Sequence, residues 1–278
     1  MFVAFIIKIS YMKKILFPFA IILLLAGCAK NAITGRKQLH LVSESQLQSM
    51  AQQEYRSFLS SNKVIGKNAS RDAEMVNRVG MRIAGAIKSY YGAQSSVLDG
   101  YNWEFNLVDN KEANAWCMPG GKVVVYTGLL PITQNETALA IVMGHEITHA
   151  LAQHGSERMS QGLLQQLGGT ALDAALSSKP QETRNVFLTA YGAGTTVGAI
   201  LPFSRKQESE ADKYGLYFAA MAGYNPQEAI PFWQRMSKAA TGARPPEFLS
   251  DHPADEKRIE QLKEVMPEAM KYYNKSKK

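Results

Sequence analysis

A short run of ionisable residues inside a long apolar segment places the strongest constraint on how this chain can fold. The segment covers residues 136–152 and has the sequence ETALAIVMGHEITHALA. Apolar and small residues surround His145, Glu146 and His149 on both sides, which predicts a helix in the core of the molecule. Unpaired ionisable groups in a core cost on the order of several kcal/mol, so three together require a compensating partner.

The spacing of the two histidines indicates that this partner is a metal ion. On a helix, residues i and i+4 lie about 40° apart on one face, so His145 and His149 can direct ring nitrogens at one ion. Glu146 lies beside them and can act on a water molecule without binding the ion. This H-E-x-x-H pattern is typical of zinc peptidases, in which the glutamate is the general base. Histidines at this spacing also occur by chance on solvated helices, but the apolar surroundings favour the metal site.

The limits of this helix decide whether a further histidine can join the site. Thr133 and Glu136 match a capping box at its start, and we expect it to end near Gly155. On a continuous helix His154 would lie about 140° around the axis from His149. We therefore expect His154 to point away from the metal.

A second helix, which begins at Ser204, offers the ligand that two histidines leave missing. Catalytic zinc usually has three protein ligands. Glu208 is our candidate for the third, and Asp212 lies on the same face one turn later, where it can accept a hydrogen bond from a liganding histidine. Glu210 is about 200° from Glu208 and is expected to face elsewhere. Taken alone, acidic residues at a helix start are usually surface groups that compensate the helix dipole.

A small sheet is predicted before the metal helix. Residues 101–109 alternate like a half-buried strand, and residues 122–127 form a second, buried strand after a Pro-Gly-Gly turn. In zinc peptidases of this build, an edge strand near the metal pairs with extended substrate. We place that strand at Asn114, Ala115, Trp116, Cys117 and Met118. Cys117 itself is interpreted as a small buried hydrophobe and not as a nucleophile.

The first part of the chain differs in kind from the rest. Residues 12–28 combine a short basic start, an apolar run and small residues before a cysteine, which predicts a bacterial secretory signal starting at Met1 or Met12. Residues 25–28 resemble a lipobox, which implies cleavage before Cys28 and acylation of its sulfur. The alternative is an uncleaved membrane anchor, although the apolar run is short for a span. Either interpretation ties the domain to a membrane outside the cytoplasm.

Composition excludes some classes of function. With Cys28 acylated, only Cys117 remains, so stability comes from the core and the metal rather than from a disulfide. The net charge of +7 includes lysines of the signal and of the tail at residues 266–278. That tail is interpreted as a solvated end, with binding to an anionic membrane surface as the alternative. No basic stripe carries interleaved aromatic residues, so nucleic-acid binding is not expected.

Four motifs in this order resemble those of one family. They are residues 114–121 (NAWCMPGG), 144–149 (GHEITH), 208–212 (ESEAD) and the His252-Pro pair followed by Arg258. The chain is similar, over about residues 65–265, to the HtpX/CAAX-prenyl-protease-like zinc metallopeptidases, gluzincins of peptidase family M forty-eight. It looks like a bacterial lipoprotein member of the periplasmic branch. We expect an α+β fold, mostly helical, with the small sheet next to the H-E-x-x-H helix.

The resemblance implies one zinc ion per chain, held by His145, His149 and Glu208. It also implies that Glu146 is the catalytic base and that Asp212 supports a ligand from behind. Polypeptides are the implied substrates.

The resemblance assigns two residues to the substrate side of the metal. His252 and Arg258 would lie over the cleft and contact the substrate or the oxyanion of the transition state. In some relatives the matching histidine instead caps the metal in a latent state. Trp116 and Cys117 depart from the family pattern, in which a Phe and a small residue are frequent, and this departure bears on how substrate fits the edge strand.

The expected function is that of a membrane-anchored, zinc-dependent endopeptidase of the cell envelope. The domain would face the periplasm, from the outer membrane rather than the inner, and degrade misfolded or stalled envelope proteins. Envelope assembly machinery is a further partner class. The competing hypothesis is a latent or non-proteolytic, chaperone-like zinc-binding factor, and the intact Glu146 argues against it.

These expectations divide the chain into four parts. They are a signal peptide (1–27), a lipid-anchored tether with an N-terminal helix (28–64), the zinc metallopeptidase domain (65–265) and the basic tail (266–278). Within the domain, residues 156–200 are rich in Ala, Gly and Ser and are expected to form a helical pair that covers the active site. A membrane-touching element is the alternative for that pair, because small residues favour helix contacts in lipid.

Overall fold

The structure is a computed structural model that describes residues 28–92, 95–166, 172–192, 204–241, 246–252 and 256–277. The predicted signal peptide lies outside these residues, as do residues 167–171 and 193–200 of the small-residue stretch.

Helices dominate the described residues, and one four-stranded sheet accompanies them. The strands are β1 (Cys28–Lys30), β2 (Lys37–Leu39), β3 (Val64–Ile65), β4 (Glu104–Val108), β5 (Ala115–Met118) and β6 (Lys122–Tyr126). The helices are α1 (Glu44–Ser61), α2 (Arg71–Tyr91), α3 (Leu130–Thr133), α4 (Glu136–Leu151), α5 (His154–Gln166), α6 (Leu172–Ser178), α7 (Pro180–Ala190), α8 (Arg205–Met221), α9 (Ala229–Ala240), α10 (Phe248–Asp251) and α11 (Glu256–Ser276). The predicted α+β class is confirmed. Within the described part of the chain, no helix has both the length and the apolar character that crossing a bilayer requires.

The four-stranded sheet has the order β3-β4-β6-β5. Strands β4 and β6 run parallel, and the other two pairs are antiparallel. Alternate residues of a strand point to opposite faces. Accordingly, Val123 and Val125 pack in a core with α2, α4 and α8, whereas Val124 packs on the other side with α1, α5 and α7. Strand β5 is therefore an edge strand of a sheet that is covered on both faces.

Helix α4 is the predicted metal helix, but both of its ends differ from the sequence expectation. Its N-cap is Asn135, whose side chain accepts a hydrogen bond from the backbone N–H of Ala138. Thr133 belongs to the preceding short helix and bonds to Leu130 instead. The helix ends at Leu151, four residues before the expected glycine.

Two glycines allow helices α4 and α8 to approach closely. A Cβ atom on Gly144 would lie 2.6 Å from the carbonyl oxygen of Gly215, and one on Gly215 would lie 2.7 Å from the backbone nitrogen of His145. Both distances are shorter than real side chains permit, so the crossing requires glycine on each helix. This contact lies directly beside His145 and brings the acidic residues of α8 to the metal helix.

The segment expected to be a tether packs on the domain in this structure. Strands β1 and β2 pair antiparallel, and the buried side chains of Asn31 and Gln38 face the end of α4. Asn31 Nδ2 donates to the carbonyl of Leu151 at 3.3 Å, and Gln38 Nε2 donates to that of Ala152 at 2.8 Å. The last carbonyls of a helix have no partners within it, so this N-terminal segment caps the metal helix.

Candidate metal centre

The structure brings the three predicted ligands together. His145 Nε2 and His149 Nε2 lie 3.0 Å apart, as i and i+4 positions on α4 allow. Glu208 reaches them from α8, with Oε1 3.2 Å from His149 Nε2 and Oε2 3.6 Å from His145 Nε2. All three side chains are buried.

A fourth side chain lies in the same cluster. His252, just after α10, has its Nδ1 atom 3.1 Å from His145 Nε2 and 3.0 Å from Glu208 Oε1. One ligand atom from each of the four residues lies within 4.8 Å of the others. The sequence resemblance allowed His252 either to contact substrate or to cap the metal. In the structure its ring contacts the side chains of His145 and Glu208.

This donor set fits a zinc ion. Imidazole nitrogens and one carboxylate oxygen are the ligands that catalytic zinc takes in gluzincin-type sites. Glu146 adds a second observation: it is buried, and its Oε1 atom has no hydrogen-bond partner among the described residues. The Nε2 atom of His252 lies 3.6 Å from this oxygen. A buried carboxylate oxygen facing a cluster of metal-binding side chains suits a group that acts on water or substrate.

Burial and charge prepare the ligands for a cation. Burial lowers the pKa of His145 and lowers that of His149 well below its ordinary value, so both rings are neutral and keep a lone pair for a metal. Burial alone would raise the pKa of Glu208, but His252 and Arg258 hold it well below its ordinary value. The carboxylate is therefore ionised.

The general-base candidate has the opposite shift. Burial raises the pKa of Glu146 to about 8. Burial lowers the pKa of His252, but the carboxylates of Glu208 and Glu146 outweigh it, and the net shift is upward.

His145 is supported from behind by a carboxylate. Asp212 Oδ1 lies 2.9 Å from His145 Nδ1, as predicted from its position one turn after Glu208. Arg258 Nη2 donates to the same oxygen at 2.6 Å, and Nη1 lies 3.1 Å from Glu208 Oε2. Its guanidinium stacks 3.4 Å from the ring centre of Trp233. Arg258 is thus buried and contacts both carboxylates from α11, which packs against α8.

His149 is supported by the histidine that was expected to point away. His154 Nδ1 lies 2.9 Å from His149 Nδ1. Only the assumption of one continuous helix was wrong: α4 ends at Leu151, Gln153 adopts φ of 56°, and α5 starts at His154. His154 contributes no atom to the ligand cluster, but its ring lies directly behind a ligand.

Glu210 faces away from the ligands as expected and still takes part in the site. Its Oε2 atom lies 2.9 Å from His154 Nε2, and Arg36 Nε donates to both of its oxygens at 2.9 and 3.1 Å. Arg36, between β1 and β2, also donates to both oxygens of Glu157 at 2.7 Å each. Sequence reasoning missed Arg36 and Trp233, which carry no local pattern that distinguishes them from ordinary surface and core residues.

Strand β5 covers the predicted substrate strand except Asn114, and it lies beside α4 at the edge of the sheet. The Asn114 side chain accepts a hydrogen bond from the backbone N–H of Ala115. Cys117 is buried, and burial raises the pKa of its thiol well above the ordinary value, which agrees with a packing role. Just before β5, the carbonyl of Ala113 accepts a hydrogen bond from the backbone N–H of Phe248 at 3.0 Å. The helix that carries His252 is therefore seated at the start of the edge strand.

A buried H-E-x-x-H helix that meets a glutamate from a second helix defines the gluzincin class of metallopeptidases. The chain belongs to Peptidase family M48, whose sequence profile matches residues 70–266. This confirms the family that the sequence motifs indicated.

Individual relatives come from mitochondria and bacteria. The chain is 33% identical over 208 residues to "Mitochondrial metalloendopeptidase OMA1" of Saccharomyces cerevisiae, which covers 72% of this chain and 58% of that protein. It is 29% identical over 250 residues to the OMA1 protein of Homo sapiens, covering 87% and 46%. It is also 31% identical over 194 residues to "Beta-barrel assembly-enhancing protease" of Escherichia coli (strain K12), covering 67% and 37%. The chain thus spans about a third to three fifths of these relatives.

Proposed function

We propose that this protein is a zinc-dependent endopeptidase. The observation that carries the proposal is the convergence of His145, His149 and Glu208, from two separate helices, with Glu146 buried beside them. A zinc ion held by these three residues would supply a Lewis acid toward the scissile carbonyl. Membership of a peptidase family and relatives named as metalloendopeptidases support the same reaction.

The side chains of this chain then divide the work. Glu146 takes the proton of the attacking water and delivers it to the leaving amine. Asp212 fixes the tautomer of His145, so that Nε2 keeps its lone pair for the metal. Arg258 holds the carboxylates of Glu208 and Asp212 in place. Extended substrate would pair with β5, an edge strand of the sheet.

The test is Glu146→Gln, with Glu247→Gln as the control. Glu247 is an exposed glutamate next to α10, and the structure shows no part for it in the site. Glu146→Gln should keep zinc and lose roughly 10²- to 10⁴-fold in casein cleavage, because the base is gone. Glu247→Gln should retain both. A Glu146→Gln protein that cleaves casein at the wild-type rate would refute the mechanism.

In the state described here His252 would hold the enzyme latent. Its Nδ1 atom lies in the ligand cluster. Its ring stacks on that of Phe248, with 4.4 Å between the ring centres, which holds His252 in this position. With a metal ion bound, His252 would act as a fourth donor and compete with substrate for the metal. His252→Ala should raise the rate of casein cleavage at unchanged zinc content. A lower rate would instead support the substrate-contacting role.

We also place the enzyme in the bacterial cell envelope, anchored by acylated Cys28 and acting on misfolded or stalled envelope proteins. The signal and lipobox pattern before Cys28 supports the anchor, and the bacterial relative named for β-barrel assembly supports the setting. Cys28→Ala should release the protein from the membrane fraction after cell lysis, with Cys117→Ala as the matched control. Both variants found in the membrane fraction would contradict the lipid anchor.

A further inference from the structure

The side of His149 opposite the ligand cluster is connected to the N-terminal segment by a continuous chain of side chains. His149 Nδ1 lies 2.9 Å from His154 Nδ1, and His154 Nε2 lies 2.9 Å from Glu210 Oε2. Arg36 binds that carboxylate through Nε. His154 is fully buried, so bulk solvent does not reach its ring.

The positions of the protons follow from the role of His149. If Nε2 binds the metal, Nδ1 must carry the hydrogen and donate it. His154 Nδ1 is then the acceptor, which leaves the His154 hydrogen on Nε2, aimed at the Glu210 carboxylate. Each nitrogen along the path has one defined role, and Glu210 at the end supplies the negative charge that favours this arrangement.

The far end of the path is held by the N-terminal segment. Arg36 lies between Glu210 and Glu157, with two bonds to each carboxylate, and Gln207 Nε2 donates to Glu157 at 2.8 Å. The same segment caps the end of α4 through Asn31 and Gln38. It therefore contacts the ligand helix at its end and, through three side chains, at its ligand.

We propose that His154 is a positioning residue that orients His149 for the metal, and that Arg36 makes the N-terminal segment part of the metal centre. This inference rests on the proposed function, because it takes His149 as a zinc ligand. Movement of the segment would change zinc affinity without altering any ligand.

The first experiment measures the zinc dissociation constant of the full chain by competition with a chelator, and the absorption spectrum of the cobalt-substituted protein. His154→Ala should weaken zinc binding about 10- to 100-fold and shift the cobalt bands, because His149 loses its acceptor. His154→Asn should recover part of the affinity, since the Asn oxygen can take the place of Nδ1. Glu210→Gln, which keeps the shape of the side chain, carries the test if His154→Ala does not fold.

The second experiment compares Arg36→Ala with Lys37→Ala. Lys37 is adjacent, has the same charge and is exposed. Arg36→Ala should weaken zinc binding roughly two- to tenfold, the range expected when a charge-assisted pair is lost, and Lys37→Ala should not. The unfolding temperatures of the metal-free variants separate a loss of fold from a loss of affinity.

The outcomes separate the two proposals. Wild-type protein without zinc affinity would overturn the proposed function, and this inference with it. Wild-type affinity that is unchanged in His154→Ala and Glu210→Gln would overturn the role of His154 alone. Equal affinities of Arg36→Ala and Lys37→Ala would overturn the role of the segment.

Discussion

The two histidines of the H-E-x-x-H helix are supported in different ways. Behind His145, Asp212 makes direct contact, and Arg258 locks that carboxylate from α11. Behind His149, a second imidazole intervenes before the carboxylate of Glu210 is reached. His145 is thus oriented by a carboxylate directly, whereas His149 is oriented by His154, which in turn contacts a carboxylate.

The residues behind the two histidines come from different parts of the chain. Asp212 and Arg258 both fall within residues 70–266, the range that matches the family profile. Arg36 lies before that range. The side of His145 is therefore built by the family domain alone, whereas the side of His149 is completed by an N-terminal segment. Under our proposal, movement of the N-terminal segment would therefore affect the site from the His149 side.

The largest effect is expected from Asp212→Asn. Asp212 is buried and paired with Arg258, and removing one partner of a buried pair costs about 3–5 kcal/mol. Zinc affinity should also fall about 10- to 100-fold, because His145 loses its charged acceptor. Urea unfolding and zinc competition measure the two effects.

Glu210→Gln is the matched change behind His149. It should lower both the free energy of unfolding and the zinc affinity by less than Asp212→Asn does, because the Glu210 carboxylate is half-buried and acts through His154. A larger loss for Glu210→Gln than for Asp212→Asn would invert the comparison.

A smaller effect should follow from Gly215→Ala, which acts on both sides at once. The added Cβ would meet the backbone of His145 at 2.7 Å, so α8 must move away from α4. Overpacking of this kind costs about 1–3 kcal/mol, and the shift separates Glu208 from both histidines. The free energy of unfolding and zinc binding should fall together.

Gly85→Ala is the control for that substitution. Gly85 lies in α2, and a Cβ there meets nothing within 4 Å. Alanine should stabilise the protein by about 0.5–1 kcal/mol without changing zinc affinity. Destabilisation at Gly85 as large as that at Gly215 would show that the loss does not arise from the helix crossing.

The smallest loss is expected from Gln38→Ala, which tests the N-terminal segment apart from Arg36. This change leaves the buried carbonyl of Ala152 without its donor, at a cost of about 1 kcal/mol. Zinc affinity should fall slightly, because the end of α4 loosens near His149. Thermal unfolding in the metal-free and zinc-loaded states measures both effects, and an effect confined to the metal-free state would place the segment outside the site.

Local patterns predicted much of this arrangement. Helix α1 lies within the part of the chain where an N-terminal helix was expected, and the strands β4 and β6 lie within the predicted segments. The pairing of His145 with His149 could also be anticipated, because helix periodicity determines which side chains share a face. Glu208 could be anticipated because catalytic zinc usually has a third protein ligand.

Long-range contacts explain what the sequence did not show. Helix arithmetic placed His154 away from the site, but a non-glycine residue with positive φ, Gln153, ends the helix there, and no local signal marks it. Asn31 and Gln38 look like linker residues until the carbonyls at the end of α4 provide their partners. The burial of Arg258 likewise depends on how α11 packs against α8, and the periodicity of a single helix does not determine that packing.

The central claim is that His145, His149 and Glu208 hold one divalent ion between two helices. A crystal of the zinc-loaded protein, measured at the zinc absorption edge, tests it directly through the anomalous difference density. The account predicts one strong peak about 2.0–2.2 Å from the Nε2 atoms of both histidines and from a carboxylate oxygen of Glu208. A peak bound elsewhere, or one that Glu208 does not touch, would contradict it.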